Sequence, residues 1–284
     1  MLAEERSTSM NQPLTYALGY SESEFKRLES QGASFRDLTE DLLRRAGVVS
    51  GMRVLDVGCG VGDVSLLAAE LVGPSGAVLG VDRSKEAIGV AHHRAVKAGQ
   101  RWVRFCSTEL DAFTAEEKFD AIIGRFILMY LPNPAETLRR LCRHLRPDSI
   151  VVFQEMVMPL ARSHPNGKHF HQCGDWIIET LTRAGSDVDM GSKLFTTFLS
   201  AGLPPPQMIL AGPVEGGPDS PVYDWLAGVL RSLLPIAERL HVATAAQVQI
   251  ETMAERLRHE AVQHNAIIMT PPFIAAWTRV NAQG

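Results

Sequence analysis

The chain has 284 residues, of which 45% are hydrophobic and 21% charged, and its formal net charge is −4. This composition is ordinary for a globular protein with one large core, and the acidic balance argues against nucleic acid as a partner, which would need a basic surface. Four cysteines without a CxxC pair, a polar amino terminus and the lack of an apolar run of about 20 residues predict a cytoplasmic protein. The same features predict no disulfide framework, no signal peptide and no membrane span.

The first fifty residues predict a tail followed by helix. Residues 1–12 are polar and are predicted to be disordered. Residues 13–50 are predicted to form an N-terminal helical cap, with helix over 20–47 and Gly47 as the residue that ends it.

From residue 51, short β-rich runs alternate with amphipathic helices. Strands are predicted at residues 52–57, 77–81, 103–106, 119–123 and 149–153. Helices are predicted to begin at Asp63, after the N-cap Ser84, and after the N-cap Asn133 with Pro134 in the first turn. This alternation predicts right-handed βαβ units and a parallel sheet, which binds ligands beyond the carboxyl ends of its strands.

The second half of the chain mixes helices with strands. Helices are predicted near 170–184, 193–201, 222–240 and 246–263, strands at 208–211, 266–269 and 273–280, and a loop at 212–221. We therefore predict a main domain over 51–284 that carries helical cap insertions around 160–200 and 219–263.

A glycine-rich loop follows the first predicted strand. It has the form GxGxG and consists of Gly58, Cys59, Gly60, Val61 and Gly62. This spacing differs from the GxGxxG of dinucleotide folds and therefore disfavours a nicotinamide oxidoreductase. It suits a cofactor without phosphate, whose ribose and amino-acid tail lie against backbone that has no Cβ atoms.

Two acidic residues flank this loop. Asp56, just before it, is predicted to orient the backbone or to meet an ammonium group. Asp82, at the end of the second strand, is predicted to accept hydrogen bonds from both ribose hydroxyls.

The segments VLDVGCGVG and VLGVDRS resemble motifs I and II of the class I S-adenosylmethionine (SAM)-dependent methyltransferases. The resemblance extends over about residues 14–155. It implies an α/β fold with a Rossmann-like, seven-stranded, mostly parallel sheet, helices on both faces and a helical cap from the N-terminus and the second half. It also implies SAM as the cofactor and methyl transfer as the reaction.

The same resemblance implies further cofactor contacts. Arg83 follows the acid of motif II, and Arg125 lies after the fourth strand, against the cofactor. Glu109 maps to the residue that meets the adenine amine and Leu110 offers its backbone, although Asp111 competes with Glu109.

The N-terminal segment is similar to small-molecule members related to the ubiquinone and menaquinone methyltransferases. The similarity rests on the YALGY run of residues 16–20 and on Arg27, Leu28 and Gln31. It implies a tyrosine that closes over the methionine end of the cofactor, which we map to Tyr16, with Tyr20 as the alternative.

Several acceptor classes are disfavoured by the sequence. The sequence lacks the (Asn/Asp)-Pro-Pro-aromatic tetrad of enzymes that methylate amides and nucleobase amines. It also lacks the second acid of magnesium-dependent catechol methyltransferases and the Pro-Cys loop of cytosine methyltransferases. A small organic acceptor remains, methylated on O, N or C under the cap, with secondary metabolism as a candidate setting. The protein is predicted to be a monomer or homodimer that binds neither nucleic acid nor membrane.

Three alternatives stay open at this point. The first is a SAM-binding protein that does not transfer methyl groups, such as a cyclase or regulator. The second is a nucleic-acid methyltransferase, although the longest basic cluster is interpreted as a solvated helix face. That cluster consists of Arg139, Arg140, Arg143 and Arg146. The third is metal-assisted C-methylation through His164, His169 and His171, whereas our main prediction includes no metal.

Candidate acceptor-site residues follow the fifth strand. Glu155, His169 and His171 are the predicted catalytic residues, and His171 is the preferred base because a histidine can take a proton near neutral pH. The predicted walls of the acceptor pocket are Tyr20, Trp176, Tyr223 and Trp225.

Overall fold

A computed structural model describes residues 18–19 and 21–280. The predicted tail at 1–12, Tyr16 and Tyr20 lie outside the described residues. The strands are β1 Arg53–Val57, β2 Ala77–Asp82, β3 Val103–Ser107, β4 Phe119–Arg125, β5 Leu145–Met156, β6 Arg162–His164, β7 Gln207–Ala211, β8 Val214–Gly216, β9 Ile267–Met269 and β10 Phe273–Val280. The α-helices are α1 Glu22–Ser34, α2 Arg36–Ala46, α3 Asp63–Val72, α4 Lys85–Lys97, α5 Pro134–Leu141, α6 Lys168–Arg183, α7 Met190–Ser200, α8 Val222–Arg239, α9 Ala245–Val248 and α10 Ile250–Gln263.

Seven strands form the main sheet in the order β3-β2-β1-β4-β5-β10-β7. Neighbouring strands from β3 to β5 are parallel, whereas β10 runs antiparallel to both β5 and β7. The order reverses at β1, so the ends of β1 and β4 form the crevice in which such a sheet binds ligands. The predicted fold class, a mostly parallel Rossmann-like sheet, is confirmed.

Local sequence explains where the helices around this crevice begin. The Ser84 hydroxyl accepts a hydrogen bond from the Ala87 backbone N–H at 3.0 Å, which caps α4 as predicted. α5 begins at Pro134 as predicted, but the Asn133 side chain makes no capping hydrogen bond. The predicted N-terminal helix is two helices that meet at Phe35, and α2 ends at Gly47 in the left-handed conformation.

The second half differs from the prediction in its short strands. β6, β9 and β8 form a separate three-stranded sheet, so the last two predicted strands, β9 and β10, belong to two different sheets. β8 also lies within the segment predicted to be loop. Each of these strands has only three residues, which is too short for an alternating pattern to be visible in the sequence.

Three apolar cores hold the protein together. Two of them cover the two faces of the main sheet. The third lies among α6, α8 and α10, with Cys173, Leu230 and Leu257 fully or almost fully buried at its centre. Trp225 and Met158 pack against both this third core and a core of the main sheet, so the helical layer is continuous with the sheet beneath it.

Candidate active site

One large cavity lies at the carboxyl edge of the main sheet, with a volume of about 1090 Å³. Its floor includes residues that follow β1, β2, β4 and β5, and its walls include residues of α1, α6 and α8. This volume lies just above the range of about 300–1,000 Å³ that is usual for small-molecule sites. The cavity therefore has room for a cofactor together with a second small molecule.

The glycine-rich loop is tied to β2 at one end of this cavity. The backbone N–H groups of Gly58 and Cys59 donate to Val81 O at 2.8 and 3.0 Å. The Asp82 carboxylate accepts from the Gly60 N–H through Oδ2 and from the Ser84 N–H through Oδ1, both at 2.9 Å. Each Asp82 oxygen keeps further acceptor capacity, so this cavity-lining carboxylate can still bind two hydroxyl groups.

The three glycines of the loop have different structural roles. Gly60 lines the cavity at φ +51°, and a Cβ added there would meet nothing within 4 Å, so it would project into open space. A Cβ on Gly58 would lie 2.5 Å from the Ile127 side chain. Gly62 does not line the cavity, which corrects its prediction as a cofactor contact: its Cβ would lie 3.0 Å from the Ala91 Cβ. Its role is therefore close packing of the loop against α4.

Gly60→Val is expected to prevent SAM binding while the sheet remains folded. A branched side chain would fill the open space beside Gly60, where the cofactor is predicted to lie against the backbone. Calorimetry with SAM and circular dichroism measure the two effects.

Gly99→Val is the matched control for this experiment. Gly99 also has a positive φ and open space around a Cβ, but it lies outside the cavity, so it reports backbone strain alone. Gly60→Val protein that binds SAM as tightly as Gly99→Val protein would show that the loop does not contact the cofactor.

Buried charges lie beside the loop. Asp56 is 1% exposed and accepts a hydrogen bond from the Ser65 hydroxyl at 2.6 Å. Burial raises the pKa of Asp56 to about 7, against the opposing effects of Ser65 and Arg125. Both Asp56 and Arg125 line the cavity.

Arg125 places a positive charge in the lining of the cavity. Its Nη1 donates to the Thr39 hydroxyl at 3.1 Å, and its guanidinium lies 5.8 Å from the centre of the Phe126 ring. Among the described residues it forms no ion pair, although Asp63 and Asp56 act on it at longer range. Burial lowers the pKa of Arg125. An amino-acid carboxylate in the cavity would satisfy this charge.

The remaining predicted cofactor contacts also reach the cavity. Arg83, Glu109 and Leu110 all line it. Asp111, the competitor of Glu109, also lines the cavity, but its carboxylate forms an ion pair with Arg140. No ion pair engages Glu109 among the described residues, so its carboxylate is free to meet an adenine amine.

The other end of the cavity is mostly apolar. Its lining side chains there include Leu28, Met158, Phe170, Ile177, Trp225 and Leu226. The predicted wall residue Trp225 is among them, but Trp176 and Tyr223 are not, which corrects both predictions. Trp176 packs against the third core. Tyr223 is fully buried and donates its hydroxyl to Gly217 O at 2.9 Å.

Of the three predicted catalytic residues, only His171 lines the cavity. Its Nε2 atom is buried and has no hydrogen-bond partner among residues 18–19 and 21–280. The prediction for His169 is corrected, because it does not line the cavity and its backbone N–H donates to the Glu260 carboxylate.

Glu155 has a structural position instead of a catalytic one. It is fully buried and outside the cavity, where its Oε1 accepts from the N–H groups of Ile127 at 2.9 Å and Leu128 at 2.7 Å. Its Oε2 accepts from the Met129 N–H at 3.4 Å. The prediction that it faces the reacting centre is therefore corrected: Glu155 holds the segment after β4 that lines the cavity.

Sequence reasoning assigned no role to a polar group that the structure places in the cavity. Arg27 and Gln31 line the cavity from α1. The resemblance of the N-terminal segment includes both residues but assigns a role to neither. Their spacing of four residues places them on one face of a helix, which was the available signal.

Two features are absent from the residues that the structure describes. In the described part of the chain, no group of three His, Cys, Asp or Glu side chains is arranged to hold a metal ion, so His164, His169 and His171 do not form a metal centre there. No helix among the described residues is long and apolar enough to cross a bilayer.

The sheet order and the glycine loop with its acidic partner, Asp82, are those of the class I SAM-dependent methyltransferases. The chain belongs to a methyltransferase domain family, whose model matches residues 49–194, just over half of the chain. A curated relative is the ubiquinone biosynthesis O-methyltransferase of Aromatoleum aromaticum, which is 32% identical over 133 residues that cover 46% of this chain and 53% of the relative. The chain spans about half the length of the first curated relatives that it matches.

Solved structures share the fold over most of the chain. A protein of Bacillus halodurans assigned to the methyltransferases has a TM-score of 0.58 at 16% identity, with coverage of 86% of this chain and 99% of that one. The [4+2]-cyclase SpnF has a TM-score of 0.53 at 19% identity, with coverage of 87% and 81%. At these identities the likeness shows the fold alone.

Proposed function

We propose that this chain transfers a methyl group from SAM to a small, largely apolar acceptor. One observation carries the proposal: a single cavity joins the glycine loop and Asp82 at one end to an apolar space under α1, α6 and α8 at the other. The relative from Aromatoleum aromaticum is named for a reaction on a small molecule, which supports an acceptor of this class. We further propose that the helices of residues 13–50, 160–200 and 219–263 act as a cap over the main domain.

The residues at the polar end fit SAM. Asp82 binds the ribose hydroxyls, Glu109 meets the adenine amine, and the unpaired guanidinium of Arg125 binds the amino-acid carboxylate. Gly60 leaves space for the cofactor next to the backbone. SAM supplies a methyl group on a sulfonium and leaves as the neutral thioether S-adenosylhomocysteine (SAH), so alignment and exclusion of water are the main tasks of the protein.

His171 is the proposed catalytic residue at the acceptor end. The imidazole lines the cavity, and its buried Nε2 has no hydrogen-bond partner in the described chain, so a rotation of the ring would present this nitrogen to a hydroxyl or amine of the acceptor. Nε2 takes the proton from the hydroxyl or amine of the acceptor while a lone pair on that oxygen or nitrogen forms the bond to the methyl carbon of SAM, which leaves as SAH. The apolar surroundings keep water from competing for the methyl group.

Asp82→Ala is expected to weaken SAM binding by about 1.5–3 kcal/mol, or roughly tenfold to more than a hundredfold, because charge-assisted hydrogen bonds to the ribose are lost. The substitution also releases the Gly60 N–H, which adds to the effect. Calorimetry measures the affinity, and Asp41→Ala, at an exposed aspartate of α2, is the control. Unchanged affinity in Asp82→Ala would refute the ribose assignment.

Release of SAH tests methyl transfer itself. The fold is shared with a cyclase, so SAM binding alone does not establish transfer. We expect SAH to form from SAM only when an acceptor is present. SAM binding without SAH release across a broad screen of apolar hydroxyl and amine compounds would favour a protein that uses the pocket for another purpose.

The surface is consistent with the remaining parts of the proposal. Three of the four arginines in the longest basic cluster, Arg139, Arg140 and Arg146, form ion pairs with nearby acids. They therefore provide little free positive charge for nucleic acid. The free cysteines of the described chain suit a reducing compartment, and we propose a cytoplasmic monomer or homodimer.

A further inference from the structure

A hydrogen-bond network between α1 and α8 fixes the orientation of the Gln31 amide. Gln31 Oε1 accepts from Arg27 Nη1 at 2.8 Å and from the Trp225 indole Nε1 at 3.4 Å. Guanidinium and indole nitrogens only donate hydrogen bonds, so the atom between them must be the amide oxygen. The Gln31 NH2 group is therefore held at the other terminus, where it can only donate.

A buried ion pair lies beside this amide. Arg27 also donates to the two Glu24 oxygens, from Nε at 2.7 Å and from Nη2 at 2.6 Å. The Glu24 side chain is fully buried and the Arg27 side chain is 8% exposed, so the pair forms a neutral unit inside the protein. The Gln31 amide, in the lining of the cavity, therefore lies beside an ion pair whose two charges offset each other.

The Gln31 NH2 group has no acceptor within the described part of the chain, although Gln31 lines the cavity and is half-buried. Its neighbours in the lining include the apolar side chains of Leu28 and Trp225. An amide donor in an apolar setting gains most from a partner that arrives with the ligand.

We propose that the Gln31 NH2 group is a specificity-determining contact that binds a neutral oxygen, of the carbonyl or ether type, on the acceptor. This inference rests on the proposed function and defines its substrate class: an apolar molecule that carries a neutral oxygen besides the atom to be methylated. A carboxylate is a poorer fit, because Glu24 already neutralises Arg27. The carboxylate of the cofactor has the unpaired cation Arg125 as its match.

Gln31→Glu is the sharpest test. The carboxylate keeps an oxygen that accepts from Arg27 and Trp225, but it offers no donor. The probes are 1-tetralone and tetralin, which differ mainly in one carbonyl oxygen, and each is titrated calorimetrically into the protein with and without SAH. Wild type is expected to bind 1-tetralone about five- to tenfold more tightly than tetralin, as one hydrogen bond would provide. In Gln31→Glu the ratio is expected to fall to about one.

Two further variants make the result decisive. Gln31→Leu, which cannot ionise, is expected to lose the same preference, while Gln172→Leu, at an exposed glutamine of α6 outside the cavity, keeps it. The proposal is overturned if wild type shows no preference or if either Gln31 variant retains it. A loss of SAH affinity with the preference intact also overturns it, since the amide would then serve the cofactor. Wild type that binds no SAH contradicts the proposed function instead, and the titrations without SAH still decide the role of Gln31.

Discussion

His171→Ala is expected to lower kcat by roughly 10²–10⁴-fold and to leave SAM affinity unchanged. The imidazole lines the acceptor end of the cavity, and its buried Nε2 has no partner in the described residues. Removal of the side chain would therefore take away the proposed base, while the glycine loop and Asp82 remain intact. Steady-state SAH release and calorimetry with SAM measure the two quantities.

His169→Ala is the matched control, because this histidine lies two residues away on the same helix but does not line the cavity. We expect its kcat to stay within a fewfold of wild type. Added imidazole should restore part of the activity of His171→Ala by occupying the vacated space. A fall of less than tenfold in His171→Ala would mean that catalysis depends on alignment alone and that His171 only packs against the acceptor.

The proximity of the glycine-rich loop and Asp82 could be predicted from sequence because both lie at the ends of their strands. The loop follows β1 directly and Asp82 ends β2, so the parallel sheet brings them together wherever it forms. The exception is Gly62, which has the same spacing but packs against α4. Sequence shows that a Cβ is missing at this position, but it does not show which neighbour would occupy the space.

The acceptor end could be predicted less well because it depends on which face of a helix points inward. Two residues along an α-helix correspond to a rotation of about 200°, so His169 and His171 point to nearly opposite sides. The same rotation separates Tyr223, which enters the third core, from Trp225, which lines the cavity. The composition of these segments indicated a pocket, but the packing of α6 and α8 decided which side chains form its wall.

Glu155→Ala is expected to destabilise the fold by about 3 kcal/mol or more. The carboxylate accepts from three backbone N–H groups, those of Ile127, Leu128 and Met129, at a fully buried position. Each buried donor left without a partner costs about 1–3 kcal/mol. Because this segment lines the cavity, weaker acceptor binding should accompany the loss of stability. Urea unfolding measures the free energy, and Glu155→Gln is the control, since its amide oxygen can still accept from Ile127 and Leu128.

The pH dependence of stability separates the charge of Glu155 from its hydrogen bonds. Burial raises the pKa of Glu155 from 4.5 to about 8, against the three N–H groups that lower it. In the unfolded chain the group loses its proton near the ordinary value, so between 4.5 and about 8 the folded state binds more protons than the unfolded state. Stability from this group is therefore present below pH 4.5 and is lost as pH rises to about 8.

Glu155→Gln cannot ionise, so wild type should lose stability relative to this variant across that window. The raised pKa of Asp56 acts in both proteins and cancels in the difference. A difference that stays constant with pH would mean that Glu155 is already ionised in the folded protein and that its three N–H partners outweigh its burial.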